Sequence, residues 1–277
     1  MVSPFTGCGN IDERAVQRIV ERLVAAGVHG IFVLGTTGEA ASITATEKMK
    51  LVHATVHAVA GRSQVYTGIS SNCLQESVEA AKRYEQMGVH AAVAHPPCYY
   101  PPSEKDLEAY FVSLAEAIDL PLLLYNIPKT THVSLPLALV ERLSHHPNVE
   151  GIKDSGAEEP HLKELLLQMG GRENFSVLCG CGALFSVALR LGADGVVPSS
   201  GNLVPGVYQA MWTAALQGNW EEVVQQNAHS AAAGARYQQG RSLGESLAAL
   251  KALMAEDGLC GPTVLPPLRT LSVQEGL

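Results

Sequence analysis

Short apolar runs alternate with longer amphipathic segments along most of the chain. The short runs are rich in β-branched and aliphatic residues, as strands buried on both faces of a parallel sheet usually are. The longer segments repeat their apolar residues at helical spacing, so the alternation predicts consecutive βα units. The predicted strands are Ile31–Leu34, Gln64–Thr67, Ala91–Ala94, Leu122–Tyr125, Val149–Lys153, Ser176–Cys179 and Gly195–Val197.

Helix-end signals agree with this division of the chain. Thr44 and Glu47 have the spacing of a capping box. Gly27, Gly61 and Gly88 stand where helix C-caps are expected. The helices predicted between the strands are Asp12–Ala26, Thr44–Ala60, Leu74–Met87, Glu104–Ile118, Pro136–Ser144, Glu158–Met169 and Ala183–Leu191.

The spacing of the units favours a closed (β/α)8 TIM barrel over an open doubly wound sheet. The units recur every ~25 to 33 residues without a larger insertion, which suits a barrel of about 250 residues. No G-x-G-x-x-G opens the first helix, as a dinucleotide-binding sheet would require. Only Met1 and Val2 remain, before Ser3 and Pro4, to represent a first strand, which we expect to be truncated.

The chain changes character after Asn202, where the strand patterns stop. Three further helices are predicted, Val204–Gln217, Trp220–Gln239 and Leu243–Asp257. They exceed the one closing helix that a barrel requires. We therefore expect a barrel over residues 1–202 and a C-terminal helical extension over residues 203–277, packed on the barrel or on another subunit.

Composition and charge exclude several classes of protein. With 47% hydrophobic and 17% charged residues, the 277-residue chain is neither disordered nor a coiled coil. A formal net charge of −8 without a basic block argues against binding of nucleic acid. The apolar stretches are broken before the ~18 residues of a membrane span, and no signal-peptide pattern is present, so we expect a cytoplasmic protein without a membrane contact.

The six cysteines are scattered, which is typical of reduced intracellular proteins. Cys179 and Cys181 form the one close pair, and their spacing is not that of a zinc ribbon. We therefore expect neither a disulfide framework nor a metal site.

Lys153 is the most informative residue at the carboxyl end of a strand, where barrel enzymes place their catalytic groups. Both faces of a barrel strand are poor surroundings for an unpaired ammonium group. Burial favours the neutral amine, which is the form that attacks a ketone to give a Schiff base. The alternative is a lysine just beyond the strand that extends its amine into solvent.

Two other strand ends carry candidate chemistry. Tyr125 ends the preceding strand, so its hydroxyl could relay protons beside the Lys153 amine, or it could be an exposed tyrosine at the barrel rim. The turn from Gly35 to Glu39 offers backbone N–H groups and the hydroxyls of Thr36 and Thr37. Such a turn could bind a carboxylate, or it could be a plain glycine-rich turn.

Three segments together resemble a known family: GTTGE at residues 35–39, YNIP at 125–128 and GIKDSG at 151–156. In this order and spacing they are similar to the dihydrodipicolinate synthase / N-acetylneuraminate lyase family of pyruvate-dependent class I aldolases. The resemblance covers nearly the whole chain and implies a metal-independent enzyme without a cofactor, which holds its substrate as a covalent imine.

The resemblance also implies roles for individual residues. Lys153 would form the imine with pyruvate or another 2-oxo acid, and Tyr125 would transfer protons through a relay of Thr36 and Tyr99. Thr36 would also bind the substrate carboxylate, together with Thr37. The family's counterpart of Tyr99 reaches into a neighbouring subunit, so a homodimer or homotetramer is implied. Further residues expected to contact substrate are Gly180, Val197, Ser155 and Thr130.

Two positions depart from the best-known branches of the family. Synthases that make the lysine precursor carry an arginine where this chain has Thr130, and a neutral threonine cannot form a bidentate pair with a carboxylate. Sialic acid lyases carry acidic residues after the glycine that matches Gly180, where this chain has Cys181, Gly182 and Ala183. The segments at 97–100 and 153–156 are more similar to the aldolases of 4-hydroxy-2-oxoglutarate and of 2-keto-3-deoxy acids.

The expected reaction is cleavage of a 4-hydroxy-2-oxo acid or a 2-keto-3-deoxy acid to pyruvate and an aldehyde, or the reverse condensation. Within the class, the alternatives are 4-hydroxy-tetrahydrodipicolinate synthase and a dehydratase that expels water from the same imine. Outside it, the alternative is a non-catalytic barrel that binds a 2-oxo acid.

Overall fold

A computed structural model describes residues 1–271 of the chain. It contains two compact units, one of Met1–Thr67, Ser199–Thr213 and Gln225–Leu277 and one of Gly68–Pro198 and Ala214–Val224. None of the helices within residues 1–271 combines the length and the apolar character that a membrane span requires.

All seven predicted strands are present, and each bound differs from the predicted one by at most one residue. The β-branched and aliphatic runs form strands because their side chains fit a pleated, buried surface. The strands are β1 (Gly30–Val33), β2 (Gln64–Gly68), β3 (Ala91–Ala94), β4 (Leu122–Asn126), β5 (Val149–Asp154), β6 (Ser176–Cys179) and β7 (Gly195–Val196).

The ten predicted helices are also present, with bounds within two residues of those expected. One short helix was not predicted: Pro128–Thr131, which begins at the proline of the YNIP segment. In chain order the helices are α1 (Glu13–Ala25), α2 (Ala45–Val59), α3 (Leu74–Glu85), α4 (Glu104–Ala117), α5 (Pro128–Thr131), α6 (Leu137–Leu143), α7 (Glu159–Met169), α8 (Phe185–Arg190), α9 (Pro205–Leu216), α10 (Trp220–Gln238) and α11 (Leu243–Glu256).

The strands pair in parallel within each unit. In the first unit, β1 pairs with β2. In the second unit, β3, β4, β5, β6 and β7 pair in chain order, each with the next. The register sets Tyr125 opposite Lys153 and Asn126 opposite Asp154. These four residues therefore stand side by side at the carboxyl ends of two neighbouring strands.

The core of the second unit lies between these strands and the helices that cover them. Every residue of β4 is buried, as its apolar sequence predicts. Helices α4, α6 and α7 add fully buried side chains, among them Phe111, Leu139 and Leu165. The strand ends that carry chemistry are therefore supported by a packed apolar layer.

Of the two hydrogen bonds of the capping box predicted at α2, one is present and the other is not. Thr44 accepts the N–H of Glu47 as expected. The Glu47 carboxylate instead accepts the Ile11 N–H at 2.7 Å and pairs with Lys50. Tertiary contacts therefore compete with the local hydrogen bond. The C-cap residues are Ala26, Ala60 and Gln86. The glycines predicted there follow them within two residues, and all three adopt positive φ.

Met1 and Val2, expected to represent the first strand, lie in none of the strands assigned within residues 1–271. The Met1 ammonium group donates to the Phe32 carbonyl of β1 at 2.6 Å. The Val2 N–H donates to the Asn202 side chain at 2.9 Å. This segment is therefore tied to the first unit by hydrogen bonds from its backbone.

Candidate active site

Lys153 and Tyr125 lie together at the carboxyl ends of β5 and β4. Both side chains are buried, with 8% of Lys153 and 4% of Tyr125 exposed. The Lys153 Nζ lies 4.1 Å from the centroid of the Tyr125 ring. The parallel register produces this contact because it pairs the two residues directly. The amine lies over the tyrosine ring, and the expected role of the Tyr125 hydroxyl in proton transfer stays a prediction.

Gly180 lies against the Lys153 side chain on the other neighbouring strand end. A β-carbon at residue 180 would stand 3.0 Å from Lys153 Cε and 2.1 Å from Ser155 Oγ. The Gly180 N–H donates to the Asp154 carbonyl at 2.6 Å, which fixes its backbone at this place. A side chain at residue 180 would therefore collide with the Ser155 hydroxyl and crowd the Lys153 chain, so glycine lets these two side chains pack against this strand end.

A buried network of hydrogen bonds holds the strand ends that carry Tyr125 and Lys153. Asn126 donates through Nδ2 to Asp154 Oδ2 at 2.7 Å, and its Oδ1 accepts the Leu135 N–H at 3.1 Å. The other oxygen of Asp154 accepts the Gly156 N–H at 2.9 Å. Neither Asn126 nor Asp154 was predicted to be a positioning residue, although both are polar residues at the ends of adjacent apolar strands.

His161 on α7 extends this network toward the surface. Its Nε2 lies 3.4 Å from Asp154 Oδ2. The hydrogen bond to Asp154 raises the pKa of His161 above its ordinary value, and partial burial opposes the shift. The folded state therefore favours the protonated imidazole, which pairs with the buried carboxylate that follows Lys153.

We expect the pairing of His161 with Asp154 to make stability depend on pH. Because folding raises the pKa of His161, the stabilisation is complete below about pH 6.5 and is lost as the pH rises through the raised value. Its size is at most about 1 kcal/mol, since the imidazole is partly solvated. Urea unfolding of wild type and His161→Gln at several pH values measures it. The stability difference between the two should shrink with rising pH, and a difference that stays constant across this range would contradict the pairing.

His95, which follows β3, is a further residue of this region that was not predicted from the sequence. Its ring lies edge-to-face with the Tyr125 ring, with 6.5 Å between the centroids. Burial lowers the pKa of His95, although the hydrogen bond to the Pro96 carbonyl opposes this. Since that carbonyl at 2.8 Å can only accept, Nδ1 carries the proton and Nε2 is an acceptor. A neutral imidazole therefore adjoins Tyr125.

Tyr99 lies at the surface of the second unit, in the loop between β3 and α4. Tyr99 is 76% exposed and Tyr100 80%, and their rings contact edge-to-face at 5.0 Å. The Asn72 side chain accepts the N–H groups of Cys98 and Tyr99, which shapes the loop. The role of Tyr99 in a proton relay stays a prediction.

Thr36 and Thr37 lie in a tight turn of the first unit, after β1, and both are half-buried. The turn is closed by hydrogen bonds from Gly38 N–H to the Gly35 carbonyl and from Glu39 N–H to the Thr36 carbonyl, at 3.0 and 3.1 Å. Gly35 is required because a β-carbon there would stand 2.6 Å from the Phe32 ring. Their expected role in binding the carboxylate stays a prediction.

Val197 and Thr130 complete the set of predicted substrate contacts, both in the second unit. The Val197 N–H donates to the Cys179 carbonyl at 2.8 Å, which extends the pairing of β6 and β7. The Thr130 hydroxyl donates to the Ile127 carbonyl at 3.3 Å at the start of α5.

Burial raises the pKa of Cys179 to about 12, so this thiol stays protonated and is not a nucleophile.

A search of residues 1–271 for metal ligands finds no group of three or more His, Cys, Asp or Glu side chains arranged to hold an ion. The chemistry that these residues offer is that of an amine, a phenol and an imidazole in a buried setting. This set is suited to addition of an amine to a carbonyl and to proton transfer.

Comparison with known proteins agrees with this chemistry. The model of the family described as "Dihydrodipicolinate synthetase family" matches residues 1–276. The 4-hydroxy-tetrahydrodipicolinate synthase of Shewanella piezotolerans is 33% identical over 224 residues, which are 81% of this chain and 76% of that protein.

Two solved structures illustrate the similarity of fold. Dihydrodipicolinate synthase from Bacteroides thetaiotaomicron superposes with a TM-score of 0.92 at 31% identity, over 99% of this chain and 93% of that one. A prophage protein of the dihydrodipicolinic acid synthase family from Escherichia coli K12, solved in complex with pyruvate, gives 0.93 at 28% identity, over 99% and 92%.

These matches confirm the resemblance drawn from the three sequence segments, and they confirm a TIM-barrel fold of this family. They also favour an enzyme over the non-catalytic binding barrel. The chain belongs to the dihydrodipicolinate synthetase family and is a carbon–carbon lyase of the pyruvate-dependent class I aldolase type that characterises this family.

Proposed function

We propose that the protein cleaves a 4-hydroxy-2-oxo acid or a 2-keto-3-deoxy acid to pyruvate and an aldehyde, or runs the reverse condensation, through an imine on Lys153. The observation that carries the proposal is the buried Lys153 amine, 4.1 Å from the centroid of the Tyr125 ring, with Gly180 packed against the lysine side chain. The Escherichia coli relative was solved in complex with pyruvate, which supports a 2-oxo acid as the ligand.

The chemical steps follow from an amine and a 2-oxo acid. The neutral Lys153 amine attacks the C2 carbonyl, and loss of water gives a protonated imine. The C3–C4 bond then breaks, its electron pair enters the imine to form an enamine, and the C4 hydroxyl gives up its proton as the aldehyde forms. Protonation of the enamine at C3 and hydrolysis of the imine release pyruvate. Neither a metal nor a cofactor takes part.

Tyr125 is the group that moves protons in these steps, since it adjoins the amine. In the proposed relay Thr36 and Tyr99 connect Tyr125 to solvent, and Thr36 and Thr37 bind the substrate carboxylate. Gly180 and Val197 line the pyruvate portion, while Ser155 and Thr130 face the remainder of the substrate. The contact of Ser155 Oγ with the Gly180 position supports its inclusion.

Thr130 favours an aldehyde that has no carboxylate in the part of the substrate facing this residue. Its hydroxyl already donates to the Ile127 carbonyl, and it offers no guanidinium group. The competing function is that of 4-hydroxy-tetrahydrodipicolinate synthase, which the names of several relatives favour. The two functions differ in the charge of the aldehyde that they accept.

We also propose the domain boundaries, the assembly and the cellular location of the protein. We place the barrel at residues 1–202, with Met1 and Val2 in the position of its first strand, and the helical extension at residues 203–277. The exposed Tyr99 and Tyr100 support assembly into a homodimer or homotetramer, because exposed aromatic pairs are enriched at interfaces. We also propose a cytoplasmic location, and the formal net charge of −8 argues against a nucleic-acid partner.

We expect pyruvate release from 4-hydroxy-2-oxo acids to exceed condensation of pyruvate with aspartate β-semialdehyde by at least about tenfold in kcat/KM. A coupled lactate dehydrogenase assay measures the first reaction and product absorbance the second. Addition of a chelator should change neither rate. Faster condensation would favour the synthase, and a chelator-sensitive rate would indicate a metal-dependent route.

A further inference from the structure

A buried ion pair joins Glu39 to the C-terminal part of the first unit. Lys251 on α11 is 1% exposed, and its Nζ contacts the Glu39 carboxylate. The ammonium group also donates to the Thr263 carbonyl at 2.9 Å and lies 3.9 Å from the centroid of the Phe5 ring. The other carboxylate oxygen of Glu39 accepts the Leu265 N–H at 3.0 Å. Both charged groups are therefore enclosed and held by several contacts.

Such a pair is costly for a fold to maintain. Burial lowers the pKa of Lys251, and the neighbouring Glu39 opposes this shift. Well-packed apolar residues of similar volume often stabilise a core as well as a buried ion pair does. A contribution to stability is therefore not a sufficient reason for the pair. The position of Glu39 in the chain indicates another role.

Glu39 is the last residue of the turn that contains Thr36 and Thr37. Its backbone adopts the left-handed conformation, with φ of 55°, which is uncommon for a residue other than glycine. Its N–H donates to the Thr36 carbonyl at 3.1 Å. The Ser3 hydroxyl holds the neighbouring Gly38 carbonyl at 2.6 Å. A carboxylate fixed by Lys251 thus helps to hold this strained residue, and with it the turn.

We propose that Lys251 is a positioning residue that acts through Glu39 on the Thr36–Thr37 turn and so sets the affinity for the carboxylate of the 2-oxo acid. The inference rests on the proposed function, in which this turn binds that carboxylate. It extends the site to α11, a helix more than two hundred residues from the turn in the sequence.

Pyruvate and its methyl ester separate this role from a purely structural one, since only pyruvate presents a carboxylate to the turn. The concentration of each that half-saturates borohydride-trapped adduct formation is measured by intact mass. Lys251→Met should raise this concentration about tenfold for pyruvate, which is the size expected for the loss of one charge-assisted contact, here that of Lys251 with Glu39. For methyl pyruvate the rise should be less than about twofold. Glu39→Gln should shift the two values in the same way.

The control variant is Asp257→Asn, at the end of the same helix. Asp257 pairs with Arg22 at 2.9 Å in a solvent-exposed ion pair, away from the turn. It should leave both half-saturating concentrations unchanged. Thermal unfolding shows whether each variant is folded. If Lys251→Met is not folded, Glu39→Gln decides the outcome, because it keeps the shape of the side chain.

Two results would overturn the inference while leaving the proposed function intact. One is an unchanged half-saturating concentration of pyruvate in folded variants, and the other is an equal rise for pyruvate and its ester. Failure of the wild type to form an adduct with either compound would instead overturn the proposed function. The two failures are therefore distinguishable.

Discussion

Lys153→Arg should lose at least about a thousandfold in kcat and form no adduct with a 2-oxo acid after borohydride reduction. A guanidinium group keeps the positive charge but does not give up a proton at neutral pH, so it cannot form the imine. The same loss is expected of Lys153→Ala. Pyruvate release and intact mass measure the two effects.

Lys163→Ala is the matched control, because Lys163 lies on α7 with its side chain half exposed and paired with Glu159. It should keep the wild-type rate and the wild-type adduct. Aldol cleavage retained by Lys153→Ala would contradict the Schiff-base mechanism. An adduct retained by Lys153→Arg would show that another lysine reacts.

Gly180→Ala should reduce kcat by about tenfold while the protein stays folded. The added methyl group would meet Lys153 Cε at 3.0 Å, the Asp154 carbonyl at 3.2 Å and Ser155 Oγ at 2.1 Å. The serine hydroxyl can rotate away, but the Lys153 chain must give by a few tenths of an ångström. This is a fraction of the displacement of about 1 Å that costs about a hundredfold in rate at a reacting group. Steady-state kinetics and circular dichroism measure the two properties.

Gly182→Ala provides the comparison within the same loop. A β-carbon at residue 182 would have its nearest neighbour, the Phe185 ring, at 3.9 Å, which is an ordinary contact. This variant should differ from wild type by less than about twofold in kcat, as surface changes away from a site usually have small effects. Equal losses in the two variants would show that the loop tolerates no change at either glycine. That result would contradict crowding of Lys153 as the cause of the loss in Gly180→Ala.

The strands, the helices and the pairing of Lys153 with Tyr125 could be predicted because each depends on local pattern and chain order. Consecutive parallel strands set their last residues side by side, so two unusual residues at consecutive strand ends are predicted to meet. The place of Gly180 in the site was implied by the family resemblance, and its position beside Lys153 agrees with the chain order because β6 pairs with β5. Periodicity and topology were sufficient for these features.

Other features depend on contacts that no local pattern encodes. The Glu39–Lys251 pair joins residues far apart in the sequence that no pairing of strands brings together. Glu47 shows the same limit, since its carboxylate binds the Ile11 N–H in place of the predicted capping partner. The choice among such partners is made by tertiary packing, which propensity and spacing do not describe.

Borohydride trapping tests the central claim most directly. The protein is incubated with pyruvate, reduced with sodium borohydride, weighed intact and digested to locate the modified residue. The account predicts one adduct per chain, on Lys153. A folded protein without an adduct from pyruvate or a larger 2-oxo acid, or with its adduct on another lysine, would contradict it.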